Sequence, residues 1–209
     1  MSANPALAAL LEHPAIWRGR SCARCDGLPT GFPALDAHLP GGGWPRVGLI
    51  EVLIPRLGVG ELLLLLPALK ALGESPTARW CAWIAPPFEL FAPALAAHGM
   101  SLERSLIVHT EAPLWACEQA LGSGACDVAL AWVRRAPPRA LRRLQLATER
   151  GRTLGILFRT LGPRALREPS CAVLRVAVQP ASEGVRLELL KSRGGPRSPL
   201  TVSFQSLPK

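Results

Sequence analysis

The chain has 209 residues, 49% apolar and 19% charged, which is enough material for one domain with a sizeable core and excludes a disordered chain. Its longest apolar run, 62–69, is far shorter than the roughly 20 residues that span a membrane. The first residues also lack the basic leader of a signal peptide. We therefore expect a soluble cytoplasmic protein.

The net charge of +9 comes from one segment of the chain. Between Arg134 and Arg167 there are ten arginines and one acidic residue, Glu149, whereas basic and acidic residues balance elsewhere. A concentrated cationic segment indicates a polyanion or an acidic protein surface as a partner. A solvated face without a ligand can have the same pattern.

The N-terminal part differs in composition from the rest of the chain. Residues 3–12 predict a short helix, and residues 18–29 predict a polar arm. We therefore divide the chain into an N-terminal helix and arm at 1–27 and a core domain at 28–209. The core is predicted to begin with another short helix at 30–36, before a glycine-rich turn.

From residue 48 onwards, predicted strands alternate with predicted helices. The strands are expected at 48–55, 79–86, 105–109, 126–133 and 153–159, and the helices at 61–72, 88–99, 113–124 and 137–151. The tail alternates apolar and polar residues, which is typical of an antiparallel hairpin. Repeated strand–helix units predict an α/β fold, with a mainly parallel sheet, helices on both faces and a C-terminal antiparallel hairpin.

The turn after the first predicted strand has the setting of a phosphate-binding loop but lacks its residues. Anchored on Gly60, the pattern G-x4-G-K-[ST] requires glycine at 55, lysine at 61 and a hydroxyl at 62. The chain has Pro55, Glu61 and Leu62 at these positions, and Gly58 between them. A carboxylate repels a triphosphate where lysine would attract it. We therefore expect neither a nucleotide cofactor nor ATPase activity at this degenerate loop.

The cysteines and histidines do not predict a metal site. Cys22 and Cys25 form a CxxC pair, but a structural zinc site needs a second pair of ligands. The four histidines are scattered along the chain. Cys81 and Cys126 lie in apolar runs and are expected to be core thiols.

Several segments resemble a known family. Residues 28–55 resemble the beginning of the ATPase core of RecA-type recombinases. More closely, GGGWPRVGLIEVL, AWIAPP, EQALGSGACDVALAWV, LRRLQLA and LKSRGG are similar to ImuA, a family of RecA-like proteins from bacterial mutagenesis cassettes. The resemblance implies a RecA-like three-layer core. It places the catalytic glutamate of RecA at Pro87 and its magnesium-directing aspartate at Trp132, so it also implies a protein without catalytic residues.

The resemblance to ImuA further implies an accessory role in SOS-induced translesion DNA synthesis and mutagenesis. The implied partners are RecA, an ImuB-like polymerase homologue and an error-prone replicative-type DNA polymerase, with the DNA backbone as a further candidate. The implied location is the cytoplasm, in association with the nucleoid and not with a membrane.

Two groups of cations are candidate contacts. By the same resemblance, Lys191 and Arg193 match the pair with which one recombinase subunit reaches the ATP of its neighbour. The alternative is a pair of exposed cations that protects an edge strand. The second group is a candidate patch for DNA or for an acidic partner and consists of Arg134, Arg135, Arg139, Arg142, Arg143 and Arg150. Helical spacing places Arg139, Arg143 and Arg150 on one face.

The tryptophans divide into two sets. Those on predicted buried strands or on a core helix are expected to be buried, namely Trp80, Trp83, Trp115 and Trp132. Trp17, beside the arm, and Trp44, in the glycine-rich turn, are expected to be partly exposed. They are therefore candidate anchors for a protein partner.

Two other functions remain open at this point. A SulA-like inhibitor of cell division has a related fold without a nucleotide site and would bind the tubulin-like division protein. A DNA-stimulated ATPase or recombinase would have to bind nucleotide despite Glu61.

Overall fold

One sheet runs through the part of the chain that the structure, a computed structural model, describes: residues 27–192 and 199–204. Its strands are β1 (Gly48–Ile54), β2 (Trp80–Ile84), β3 (Ser105–Val108), β4 (Cys126–Trp132), β5 (Leu154–Thr160), β6 (Leu174–Ala181), β7 (Gly184–Lys191) and β8 (Leu200–Ser203). The helices in these ranges are α1 (Pro33–Asp36), α2 (Leu66–Gly73), α3 (Ala92–Ala97), α4 (Pro113–Gly122), α5 (Pro138–Gly151) and α6 (Pro163–Arg167). The predicted helix at 3–12, Trp17, the CxxC pair and Arg193 lie outside the described residues.

The strands follow the order β3-β2-β4-β5-β1-β6-β7-β8 across the sheet. The first six in this order are parallel, and β7 and β8 extend the sheet in antiparallel pairs. The predicted α/β fold is confirmed, including the mainly parallel sheet and the C-terminal hairpin, which is β6–β7. Because β1 lies between β5 and β6, the successive β–α–β crossovers return helices to both faces of the sheet.

The core forms on both faces of β1, whose seven residues are all buried. Successive side chains of a strand point to opposite faces. Ile50 therefore packs in the cluster that also holds Leu35 of α1, Leu69 of α2 and Leu95 of α3, whereas Leu49 packs in the cluster that holds residues of α4 and α5. The inward face predicted for α5 is confirmed, since its apolar stripe of Leu141, Leu144 and Ala147 is buried.

Two helices begin later than the sequence predicted. The predicted helix at 61–72 begins at Leu66, and the predicted helix at 88–99 begins at Ala92. Each has proline at its second position, Pro67 or Pro93. Proline has no N–H, and its ring clashes with the carbonyl four residues earlier, so it is tolerated only in the first turn of a helix. Residues 61–65 form turns, and residues 87–91 form a loop.

Helices α4 and α5 approach closely at Gly151, the last residue of α5. A Cβ at this position would collide with the backbone carbonyl oxygen of Leu121 in α4. Arg152, the next residue, adopts a left-handed conformation with φ of 50° and ends the helix. The side chain of Arg150 lies across Gly122. Each of the two helices therefore contributes a glycine to their contact, Gly122 from α4 and Gly151 from α5.

Arg79 joins three elements at the amino ends of the strands. Its Nε lies 2.9 Å from Oδ1 of Asp127 in β4, and its backbone N–H donates to Oδ2 of the same residue. The guanidinium also donates to the backbone carbonyls of Gly124, Gly151 and Arg152. This one side chain therefore connects the approach to β2, the start of β4 and the end of α5.

Candidate functional site

The turn after β1 is filled by the protein's own groups. Glu61 is only 5% exposed, and its Oε1 accepts a hydrogen bond of 3.1 Å from the backbone N–H of Gly58. Gly60 has a φ of +100°, and the ring of Phe204 would lie 2.6 Å from a Cβ at this position. Leu62 packs against the core. A carboxylate and an aromatic ring therefore occupy the surroundings of both glycines, and α2 begins only at Leu66.

The positions that the resemblance assigned to catalysis carry no acid. Pro87 is exposed in the loop after β2. Trp132, at the end of β4, is stacked between two aromatic residues, with ring centroids 6.1 Å from Trp83 and 4.6 Å from Phe158. In a stack of this kind the indole fills the end of the core.

Residues 27–192 and 199–204 contain neither a candidate metal site nor a candidate membrane-spanning helix. No group of three or more histidine, cysteine or acidic side chains is arranged to hold a metal ion. None of the helices in these ranges has the length and the apolar composition needed to cross a membrane.

A buried ion network joins the three central strands. Glu51 of β1 lies 2.6 Å from Nη1 of Arg159 in β5 and 3.0 Å from Nε of Arg175 in β6. Nη2 of Arg159 lies 2.7 Å from Oε2 of Glu168, after α6. This hydrogen bond, and the positive charge that donates it, lower the pKa of Glu168. Arg159 therefore neutralises the buried Glu51 and the partly exposed Glu168, and it does not belong to the cationic surface that the sequence indicated.

Sequence reasoning missed this network, although a signal was present. Glu51 stands alone among apolar residues in a strand that is buried on both faces. A charged residue is almost never fully buried unless it is paired, so this position already required a partner. The identity of the partners depends on strand order, which the sequence did not define.

Lys191 does not lie on an edge strand. Strand β7, which it ends, is paired with β6 on one side and with β8 on the other. Its Nζ donates a hydrogen bond of 2.7 Å to the backbone carbonyl of Ser170, just before β6. The expectation of an exposed cation is therefore wrong for Lys191, because the ammonium is held against the protein's own backbone.

The structure reverses the expected exposure of three tryptophans. Trp44 is only 1% exposed, because its backbone pairs with Leu28 and its indole packs in the core. It is therefore not an exposed anchor. Trp80 and Trp115 were expected in the core but are 45% and 62% exposed, since they lie at the start of β2 and on the outward face of α4. Trp83 is buried as predicted.

A group of exposed apolar side chains surrounds a groove beside the turn after β1. We call Leu57, Phe88 and Phe91 the aromatic rim. Both phenylalanines are 70% exposed, and the groove between these residues has a volume of about 310 Å³. Sequence reasoning missed the rim because it placed both phenylalanines in the predicted helix at 88–99, whereas α3 begins after them. Exposed aromatic side chains at a groove are typical of a protein-binding surface.

The predicted arginine patch divides into separate parts. Arg134 and Arg135, in the loop between β4 and α5, line a cleft together with Arg143 and Trp115. Arg143 forms an ion pair with Glu118 of α4, and Arg139 is exposed one turn earlier. Arg150 lies across Gly122 at the other end of α5. Arg142 is exposed on α5. Burial raises the pKa of the Cys171 thiol, and the charge of Arg142 opposes this rise only weakly.

Part of this chain is similar to known proteins of one family. The model of the SulA family, described as cell division inhibitor SulA, matches residues 55–155. The cell division inhibitor SulA of Photorhabdus laumondii subsp. laumondii is 31% identical over 99 residues, which are 46% of this chain and 55% of that protein. This chain thus spans about half the length of that curated relative. The crystal structure of SulA from Pseudomonas aeruginosa has a TM-score of 0.46 and 28% identity, over 54% of this chain and 98% of that one.

These matches overturn the resemblance to ImuA. The family model and the curated relative both have SulA as their description. The implied role in translesion synthesis and mutagenesis is therefore wrong. The implied partners RecA, the ImuB-like polymerase homologue and the error-prone polymerase are wrong for the same reason. The alternative kept open by the sequence, a SulA-like protein, agrees with the matches.

Proposed function

We propose that this chain is a SulA-like inhibitor of cell division that acts in the SOS response. The observation that carries the proposal is the match of the SulA family model to residues 55–155. That segment begins at the turn after β1 and ends in β5, so it contains the aromatic rim and the arginine-lined cleft. The proposed activity is binding, in the cytoplasm, to the tubulin-like division protein, with the consequence that its polymers do not form.

We assign the contact with the division protein to the aromatic rim. Phe88 and Phe91 are each 70% exposed, and Leu57, which lines the same groove, is 38% exposed. Full burial of a phenylalanine or leucine side chain gains roughly 1.5–3 kcal/mol, so the two phenylalanines and Leu57 together offer a large favourable contribution to binding. Aromatic anchors of this kind usually carry most of the binding free energy of an interface.

We also propose that the domain at 28–209 is a RecA-like core with a degenerate nucleotide loop, and that it acts without catalysis. The hydrogen bond from Gly58 to Glu61 supports this, because it places a carboxylate on a backbone donor that a phosphate would need. ATP or GTP at millimolar concentration is therefore expected to leave the Tm unchanged, since a ligand that does not bind cannot stabilise the fold. A nucleotide-dependent rise in Tm would contradict this part of the proposal.

Expression in bacterial cells tests the function. We expect the wild-type chain to make cells grow as filaments and, once purified, to reduce the amount of division protein that sediments as polymer. Phe88→Ser with Phe91→Ser should abolish both effects. The matched control is Leu146→Ser with Leu166→Ser, which removes two exposed leucines from α5 and α6.

Each outcome has a definite meaning. If the wild-type chain is expressed but neither filaments cells nor changes polymerisation, the proposed function is wrong. If the wild-type chain acts and the double phenylalanine variant acts equally well, the function stands and the assignment to the aromatic rim is wrong.

A further inference from the structure

The cleft between α4 and α5 is a second surface, distinct from the aromatic rim. It has a volume of about 670 Å³ and lies beside α4 and α5, which pack on the opposite face of the sheet from α3. The buried Trp132, at the end of β4, lines both this cleft and the groove at the aromatic rim. Its lining includes Trp115, Arg134, Arg135 and Arg143, and Leu114 and Val133 add apolar side chains. We call these residues the arginine cleft.

The charge in the arginine cleft is positive and only partly neutralised. Nε of Arg143 donates a hydrogen bond of 3.1 Å to Glu118, so these two charges offset each other. Arg134 and Arg135 are exposed and form no ion pair with any described residue. Glu111, at the mouth, offsets part of their charge. A net attraction for carboxylates remains, because guanidinium groups bind them with paired hydrogen bonds.

The backbone adds to this preference for negative charge. Helices α4 and α5 each follow a parallel strand, so both begin at the same edge of the sheet, beside the cleft. Both have proline at the first position, and neither has a side-chain cap. Their first-turn N–H groups, including those of Leu114, Trp115 and Ala140, which line the cleft, thus bond to no capping side chain. Uncapped helix N-termini carry partial positive charge that attracts anions.

The apolar part of the cleft favours a peptide over a nucleic acid. Trp115 is 62% exposed and lines the cleft together with the partly exposed Leu114 and the largely buried Val133. Arg134 also lines an adjoining pocket with Arg56, but on α5 the cations do not continue along the helix as a track for a phosphate backbone, because Arg150 lies over Gly122 at its far end. Nucleic-acid surfaces combine a continuous basic groove with several stacking aromatics. Here a single exposed indole, that of Trp115, lies next to a short cluster of cations.

We propose that the arginine cleft binds an acidic peptide segment of a partner protein. Carboxylates of the segment contact Arg134 and Arg135, and an apolar side chain next to them packs on Trp115. This inference does not depend on the proposed function, since the cleft and the aromatic rim share neither an arginine nor an exposed aromatic residue.

Fluorescence anisotropy with the full purified chain tests the proposal. The probe is a fluorescein-labelled, glutamate-rich peptide with one central leucine. Its controls are the same peptide with glutamine for glutamate, the same peptide with serine for leucine, and labelled single-stranded and double-stranded DNA. We expect the acidic peptide to bind most tightly, with weaker binding at higher salt.

Charge-reversal variants distinguish the cleft from the general positive charge of the protein. Arg134→Glu with Arg135→Glu should weaken peptide binding at least tenfold. The matched control, Arg104→Glu with Arg186→Glu, changes the net charge equally at exposed positions outside the cleft and should change binding less than threefold. Trp115→Ala should weaken binding of the leucine-containing peptide and leave binding of the serine-containing peptide unchanged.

The contrary results are equally definite. Absence of peptide binding at about 1 mM, the weak end of measurable affinity, would overturn the proposal. Equal weakening by the two charge-reversed pairs would also overturn it, because binding would then depend on net charge alone. Tighter binding of DNA, lost in the Arg134 and Arg135 variant, would assign the cleft to nucleic acid instead.

Discussion

Glu51 of β1 lies directly opposite Arg175 of the neighbouring β6, and its Oε2 is 3.0 Å from Nε of that arginine. On the other side, Arg159 of β5 reaches Oε1 of the same carboxylate at 2.6 Å. Both arginines are less than 10% exposed, and Glu51 is fully buried. One acid thus balances two cations inside the sheet, with Glu168 supplying the second negative charge.

Replacement of Glu51 should be among the most destabilising single changes in the protein. Glu51→Gln keeps the volume but leaves two buried guanidinium groups with too little negative charge, and breaking a buried pair in this way typically costs about 3–5 kcal/mol. The free energy of unfolding, measured in urea, should fall by about 3 kcal/mol. The control Glu103→Gln, at an exposed position, should change it by less than about 0.5 kcal/mol. A loss below about 1 kcal/mol for Glu51→Gln would show that the network contributes little.

The contribution of Glu168 should depend on pH. The hydrogen bond from Arg159 lowers the pKa of Glu168 in the folded state, so the unfolded state binds a proton more readily. Its stabilising contribution is therefore fully present above the unfolded value of about 4.3 and is lost as pH falls through the lower folded pKa. The difference in unfolding free energy between wild type and Glu168→Gln should be constant from about pH 6 to 7 and shrink below about pH 4. A difference that grows on acidification would contradict the assigned direction.

Gly151 should not accept a side chain. Because a Cβ there would meet the carbonyl oxygen of Leu121, Gly151→Ala forces α4 and α5 apart. Overpacking of this kind typically costs about 1–3 kcal/mol, which urea unfolding can measure. The comparison is Gly73→Ala, at the end of α2, where the added methyl group would have only ordinary contacts with Ser101. That variant should be neutral or slightly more stable, since alanine favours helix. Equal changes in unfolding free energy at both positions would mean that the close approach of α4 and α5 does not exclude a side chain at Gly151.

The buried thiol of Cys117 should be inert in the folded protein. Burial raises its pKa to about 12, so almost no thiolate forms at pH 8. A pulse of iodoacetamide followed by peptide mass spectrometry should leave Cys117 unmodified in buffer and modify it fully in urea. Rapid alkylation in buffer would show that α4 opens locally.

Much of the architecture could be predicted because its signals are local. The run that became β1 is apolar except for Glu51, and the run that became β7 alternates, so they have the patterns of a buried strand and of a half-buried strand. The inward stripe of α5 follows from 3.6-residue spacing. The position of Glu61 next to the glycines was also visible in the sequence, since it depends only on neighbouring residues.

Other features depended on where elements begin. Pro67 and Pro93 shift the starts of α2 and α3 towards the C-terminus, which places Phe88 and Phe91 in an exposed loop. A periodicity argument includes such residues in the helix, because it counts apolar spacing and gives little weight to a proline near the end of the pattern. The aromatic rim was missed for this reason, and the site of the proposed activity with it.

The sequence alone determined that an excess of arginine lies at 134–167 and that a lone glutamate stands in a buried strand. Only the tertiary structure decided that Arg159 and Arg175 flank Glu51, and that Arg134 and Arg135 share a cleft with Trp115 while Arg150 does not. The physical reason is distance along the chain. Which charges become neighbours depends on strand order and helix packing, and these are determined by burial of the whole core and not by any local pattern.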